Sequence, residues 1–496
     1  MERLFECKTL AKMKKVITSF IITSILFHTS YGQSKKTNSL ETIVEFSLGS
    51  KVGSLRAVPV QIAKGKSAIL MAYSADKDID PWIEMFYPPT DKLKFALFNL
   101  EGKLLWKKEL NNSTINGTWF TPIFPFDLDN DGIDEIYFVN NIDSIHILSY
   151  DHLRLEVLDS NTGESIGQWP WKRSVYGESN SHTYRNFIIG GYSNGEPVLV
   201  TAQGTYQRMG LQAWKKGMES RWGLIIEDDG LGARGCHMSP VVDINFDQTD
   251  EIMWGERCIS IDDGSYLFIA DKKEYNGHSD VIQPTLNRET NKWSVFTCRE
   301  SGDKGKIKPR VVMFDDMGKR MWSDLELGHM DMGWTAHVNT DSLSILAFTI
   351  SRGGKIAGPN GFFRTDVKEF AYNGETGKRI HLDFNAYNTV PIDLDGDGYH
   401  EFACAMGEQA DRKVYDISGQ VIADLGVNAY LAMASKFMNL PGEQILCYYP
   451  DGAVKIWADK NAKDSKIARK RYASPNYILA QKLTASGYNL VNLGGL

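Results

Sequence analysis

Short runs of alternating apolar and polar residues recur along this chain, each of strand length and each broken by a turn rich in Asp, Asn and Gly. The runs are dominated by Val, Ile, Phe, Tyr and Trp, the composition of strands packed on a pleated surface. They also repeat as a larger unit. Its first half reads RAVPVQIAKGKSAILMAYSAD from Arg56, TWFTPIFPFDLDNDGIDEIYFVNN from Thr118 and YRNFIIGGYSNGEPVLVTAQG from Tyr184. Two further copies start at His237 and His278, and the series ends with copies from Trp334, Tyr387 and Tyr430. A hairpin of the form D-x-x-G-K/E-x-hydrophobic-W closes many units, as in FALFNLEGKLLWKKEL (Phe95–Leu110) and RVVMFDDMGKRMW (Arg310–Trp322). Eight units of about four strands each, with no Pro-, Gly- or Ser-rich linker between them, predict an all-β chain folded as one β-propeller of seven or eight four-stranded blades.

Composition agrees with this. The hydrophobic fraction of 42% and aromatic fraction of 11% can fill the small core that each blade adds. A net charge of −7 with no long basic run argues against nucleic acid as a partner. No internal stretch reaches the length of a membrane span. The amino terminus reads differently. Met13-Lys14-Lys15 precedes the apolar run VITSFIITSILF and the small-residue exit HTSYGQS, the anatomy of a secretion signal. We therefore expect residues 1–33 to be an upstream extension plus a signal that is removed. Residues 34–496 then form the propeller, secreted or periplasmic.

Two kinds of metal site are suggested. The consecutive copies His237…Cys258 and His278…Cys298 place a His and a Cys 21 and 20 residues apart. Equivalent positions of neighbouring repeats lie side by side, so two imidazoles and two thiolates would make a tetrahedral zinc set. Cys404 and Cys447, at equivalent strand ends, read as free buried thiols. Separately, Asp127-Leu-Asp129-Asn-Asp131-Gly-Ile-Asp-Glu135 and Asp393-Leu-Asp395-Gly-Asp397-Gly-Tyr-His-Glu401 match D-x-D-x-D-G-x-x-E. Alternating carboxylates around a tight turn suit calcium, in a structural role. A third copy from Asp243 to Glu251 lacks the Gly and reads as degraded.

Candidate chemistry gathers between His146 and Arg234. The stretch IDSIHILSYDHLRLEVLD carries His146 and His152, SNSHTYRNFIIGGY carries His182 and Tyr192, and GTYQRMGLQAW carries Tyr206 and Arg208. Removing a proton α to a carboxylate needs a cation for the acid group, a base near the carbon and an acid for the leaving oxygen. Arg suits the first task, and His or Tyr the other two.

These segments resemble known lyases. EPVLVTAQGTYQRMGLQAW is similar to a strand pair of the family 11 polysaccharide lyases, the rhamnogalacturonan lyases. RGCHMSPVVDINFDQTDEIMWGERCISIDDG and GHSDV…VFTCRE resemble that family's Gly-x-His…Asp-Glu-Ile and Gly-His-Gly-Asp…His-Glu stretches. In size and in its His/Tyr/Arg set the chain is more similar to the ulvan lyases of families 24 and 25. Those are propellers with a structural zinc that cleave a sulfated rhamnose–uronate polymer by β-elimination. That resemblance implies a secreted lyase on an acidic polysaccharide, with Arg208 neutralising the uronate and Tyr192 acting on the leaving oxygen. His152 or His146 would be the base, with His182 as the alternative, and Tyr206 and Arg234 would contact substrate. Two other readings stay open, a rhamnogalacturonan lyase and a glycan-binding propeller without chemistry. A hydrolase is less well served, because no acidic pair stands outside the metal-like turns.

Overall fold

The computed structural model describes residues 39–174, 179–300, 309–358 and 361–496. The expected secretion signal lies outside them. Eight four-stranded antiparallel sheets follow one another as blades. Blades 1 to 7 span residues 54–109, 123–170, 186–226, 241–269, 279–324, 330–380 and 389–424. Blade 8 takes three strands from residues 430–459 and its outermost strand, Leu40–Ser47, from the start of the described chain. That strand pairs from Leu40 against Asp459 to Ser47 against Ala453, joining the two ends of the propeller. Blade 6 also carries a small extra hairpin, Lys355–Gly358 with Gly361–Arg364, between its second and third strands.

The closing hairpin motif has a packing reason. In Trp106, Trp222 and Trp322 the indole N–H donates to a carbonyl of the next blade's hairpin, Ser160, Ile261 and Gly374, at 2.7–2.8 Å. Each ring lies against the turn glycine of that hairpin, Gly163, Gly264 or Gly377. A Cβ there would come within 2.7–2.9 Å of the indole, and the glycines sit at φ of +70° to +75°. The Gly and the Trp of successive repeats thus form one joint between blades. The apolar core lies between blades, with buried clusters running through blades 4 to 8, 2 to 4, 8 to 1 and 1 to 2.

Among the described residues there are three α-helices: a single turn α1 (Asn180–Thr183), then α2 (Lys466–Tyr472) and α3 (Pro475–Leu483) in the tail. After α3 comes a 3₁₀ turn, Asn489–Gly495. The tail fills the middle of the ring. Helix α3 packs on the first strands of blades 1, 2 and 4, and the 3₁₀ turn on those of blades 5 to 8. The last carbonyl, of Leu496, accepts from Arg288 and Arg471, both at 2.8 Å. No helix among the described residues is long and apolar enough to cross a membrane.

Candidate active site

The ends of the blades where the first strands begin surround a 170 Å³ cavity. It is lined by Asp80, Arg185, Tyr206, His237, Asp280, Glu300, His329, Asp331, Arg352, Arg364 and Tyr488, among others. Blades 1, 3, 4, 5 and 6 deliver these residues from strand starts or from loops at that end. His278 and Asp280 lie two apart where the first strand of blade 5 begins, and His329 and Asp331 do the same in blade 6. The extra hairpin of blade 6 supplies Arg364, and the segment leading into it Arg352. The tail supplies Tyr488. Its amide donates to the His237 carbonyl at 2.8 Å, at a place where only Gly487 fits, since a Cβ there would sit 2.4 Å from that same oxygen.

Donor atoms of His237, His278 and Asp280 lie within 4.8 Å of one another, as do those of Asp280, Glu300 and His329. His278 Nε2 touches Glu300 and stands 3.7 Å from Asp280 yet makes no hydrogen bond, and His237 Nδ1 is also buried without one. Burial drives the imidazole of His278 down to about 4 and that of His237 well below its usual value, so both keep the neutral, ligating form. Burial works to raise Asp280, but the hydrogen bond from His329 and the neighbouring imidazoles prevail and hold it ionised. The orphaned His278 Nε2 and the His237 Nε2, 3.6 Å from Asp280, converge on the carboxylates of Asp280 and Glu300 and fit a divalent cation, through a mixed nitrogen and oxygen set.

His329 sits among groups that define its proton. Arg352 Nη2 lies 2.9 Å from Nδ1 and can only donate, so the neutral ring carries its hydrogen on Nε2, 3.0 Å from Asp280 and 3.1 Å from Asp331. Glu300 stands 3.0 Å from the same Nδ1, ready to accept once that nitrogen is protonated. Tyr206 packs edge-on to His278 at 4.4 Å, and its hydroxyl lies 3.4 Å from His237 Nε2. Burial raises its pKa, with Arg185 opposing, so the hydroxyl keeps its proton at neutral pH. Arg185 is pinned by two bonds to Asp80 at 3.0 and 3.1 Å and stacks over Trp119.

Several expectations are corrected by this geometry. The two histidines of the zinc set do meet, but the two cysteines are elsewhere. Cys258 faces Met253 and Phe268 inside blade 4, and the Cys298 sulfur packs toward Gly333 of blade 6. Burial raises both thiols, so neither is a ready thiolate. Asp280 and Glu300 take the places expected for them. Cys404 and Cys447 are free and buried as read, and so is Cys236, which the repeat reading passed over. Tyr192 lies seven residues along its strand from Arg185, about 20 Å away at strand rise, beside Asp250 and the Asp127 loop. Arg208 shares the loop of Tyr206 but turns outward to Glu227 at 3.0 Å and to the Ser174 carbonyl. Arg234 is 2% exposed and spends its guanidinium on carbonyls of Gln207, Glu227, Leu231 and Gly232. His146, with a side chain 73% exposed, and His152 gather around Asp143 on a rim loop and do not line the cavity. His182, on α1, lies 5.6 Å from the Tyr206 ring, at the edge of the site.

The acidic turns are at the opposite end of the blades. Asp127, Asp129, Asp131 and Glu135 bring their oxygens together, and so do Asp393, Asp395 and Asp397. Glu401 takes the Leu394 amide at 2.9 Å, as Glu135 takes that of Leu128 at 3.2 Å. The copy at Asp243 keeps the same backbone: Asp243 accepts from the amides of Asp247 and Gln248, as Asp127 does from Asp131 and Gly132.

Residues 172–361 match the family model for the C-terminal domain of rhamnogalacturonan lyase family 11. No curated protein matches the chain. Among solved structures, the exotype rhamnogalacturonan lyase YesX aligns at a TM-score of 0.72 and 17% identity, covering 91% of this chain and 81% of that one. The PL11 rhamnogalacturonan lyase of Bacillus licheniformis gives 0.70 and 17%, over 92% and 80%. Rhamnogalacturonan lyase YesW gives 0.67 and 16%, over 92% and 80%. At such identities these structures establish the shared fold. The matched segment holds Tyr206, His237, His278, Asp280, Glu300, His329, Asp331 and Arg352. It supports a polysaccharide lyase built on an eight-bladed propeller, and it favours the rhamnogalacturonan reading over the ulvan one.

Proposed function

We propose that this protein is a rhamnogalacturonan lyase, acting outside the cytoplasm on the uronate units of its polymer by β-elimination. The observation that carries this reading is the meeting, in one cavity, of a cation-ligand set, the arginines Arg352 and Arg364, an imidazole held by carboxylates and a protonated tyrosine. The uronate carboxylate docks toward Arg352 and Arg364, which face Asp331 when substrate is absent. His237, His278, Asp280 and Glu300 would hold a divalent cation, which when bound would supply positive charge that favours loss of the α-proton. His329 Nδ1 takes the C5 proton, with Asp280 and Asp331 holding the ring through Nε2 and Glu300 receiving the new N–H. The C5–H electron pair becomes the C4=C5 double bond, the C4–O4 bond breaks, and Tyr206 gives its proton to O4.

The experiment is an ultraviolet assay for the conjugated unsaturated uronate that elimination alone creates, run on rhamnogalacturonan with the wild type and His329→Ala. The reading predicts a steady rise in absorbance with the wild type and its loss in the variant. Chain cleavage without that absorbance would replace the lyase with a hydrolase.

A further inference from the structure

A second cavity, of 380 Å³, opens on the face away from the candidate active site, between blades 4 and 5 and the tail. Leu286, in its wall, is six residues along the strand from Asp280, about 20 Å at strand rise. Two aromatic rings face it. Phe246 is 47% exposed, and its ring stacks on that of Trp293 at 6.3 Å and 24°. Trp293 is 2% exposed, and its buried indole N–H has no hydrogen-bond partner among the described residues. Arg288, Lys466, Lys470 and Arg471 complete the wall with Asn291, and no acidic side chain lines it. Arg288 and Arg471 are occupied by the Leu496 carbonyl and other acceptors. Lys466 and Lys470, one turn apart on α2, have no ion-pair partner among the described residues. Burial, with Arg471 acting in the same direction, lowers Arg288 to about 10 against the pull of Asp393 and Glu443.

Phe246 comes from the third acidic turn, and its backbone is informative. It takes φ +60°, at the position that Asn130 (+61°) and Gly396 (+76°) hold in the two sister turns. Glycine and asparagine adopt this conformation readily, and a bulky aromatic residue does so under strain. Strain of this kind persists where the residue serves a site. Here the strain holds an aromatic ring half in solvent over Trp293, in one cavity with two ammonium groups and an indole N–H that have no partner among the described residues.

We propose that this cavity is a second, non-catalytic site that binds one uronate unit of an anionic saccharide. The apolar C–H face of the sugar rests on Phe246, its carboxylate lies toward Lys466 and Lys470, and a ring hydroxyl accepts from Trp293. Such a site would keep the polymer attached while the opposite face cleaves it. The choice of a uronate rests on the lyase reading, whereas the need for an anionic sugar follows from the cavity.

The test titrates the full chain with methyl galacturonoside, which has no bond at O4 to break, alongside neutral methyl galactoside and inorganic phosphate. The wild type should show a binding event that weakens at least tenfold in both Lys470→Ala and Phe246→Gly. The glycine variant suits the backbone, and its melting temperature, measured alongside, separates loss of binding from loss of fold. Elimination from short oligomers should be unchanged in both variants. Equal binding of the neutral galactoside, equal binding of phosphate alone, or unchanged affinity in Phe246→Gly would each overturn the proposal. Binding that depends on Phe246 in a protein without lyase activity would refute the catalytic reading alone. An active lyase without such binding would refute this site alone.

Discussion

Tyr206 and Tyr192 are the same residue type on the same blade, and only their place along the strands separates a reactive group from a packing one. Tyr206 stands beside His237 and His278 in the cavity, whereas Tyr192 packs against Phe126 at the far end. Tyr206→Phe is expected to lower kcat by about a hundredfold or more, the usual loss for a positioned proton donor. Tyr192→Phe and Arg208→Ala should leave kcat/KM within about twofold of wild type, a contrast read directly in steady-state assays. His237 and His278 could be picked from sequence because they repeat at matched positions of neighbouring units. Glu300 breaks the repeat, whereas His329 and Asp331 repeat the spacing of His278 and Asp280 one blade on, a periodic signal that pairing each His with a Cys passed over. Two further cues were available: residues i and i+2 of a strand share a face, which puts Asp280 beside His278, and the family-like stretch GHSDV…VFTCRE carries both Asp280 and Glu300. A different histidine reports on stability. Burial keeps His337 neutral, with Arg288 and Arg471 pushing the same way and the buried His400 imidazole alongside. In the unfolded chain its imidazole protonates near pH 6.5. Above that pH both states are neutral. Below it the unfolded state takes up a proton that the folded state refuses, so stability falls with pH by up to about 1.4 kcal/mol per pH unit. Urea midpoints from pH 7.5 to 5 should fall less steeply in His337→Gln than in wild type.

At the scale of elements, the acidic turns and the tail behave in opposite ways. The turns were legible because a local motif dictates them, and the structure adds that all three copies share one backbone, with or without the glycine. Our reading of Asp127–Glu135 and Asp393–Glu401 as calcium turns predicts that a chelator lowers Tm and that calcium restores it. Asp129→Ala should reduce that chelator effect measurably by calorimetry while leaving kcat near wild type, because the turn is remote from the cavity. Helix α3 and the 3₁₀ turn gave no comparable signal. Helix α3 buries the polar Gln481 along with Tyr477, Leu479, Ala480 and Leu483 and leaves Ile478 exposed, so it lacks the one-sided apolar stripe of a surface helix. A chain stopped after Ser486 loses Tyr488 from His237 and the carbonyl that Arg288 and Arg471 share. It should melt several degrees lower and lose most of its activity, and wild-type behaviour of that truncation would show the plug to be dispensable.

For the whole molecule, the propeller was readable because the four-stranded unit and its closing hairpin recur, and at Trp106, Trp222 and Trp322 that hairpin carries the same joint between a tryptophan and a glycine. Closure by Leu40–Ser47 was not, since a strand that pairs with the far end of the chain leaves no mark in local pattern. The shape of the molecule then explains the arrangement of function. The strand starts converge on a single cavity, the acidic turns brace the opposite end, and the tail connects the two through the centre. The most direct test of this account compares initial ultraviolet absorbance rates on rhamnogalacturonan, polygalacturonate and ulvan, with wild type and His329→Ala side by side. The account predicts the fastest rise on rhamnogalacturonan and its collapse in the variant. No absorbance on any uronate polymer, or an undiminished rate in His329→Ala, would contradict it.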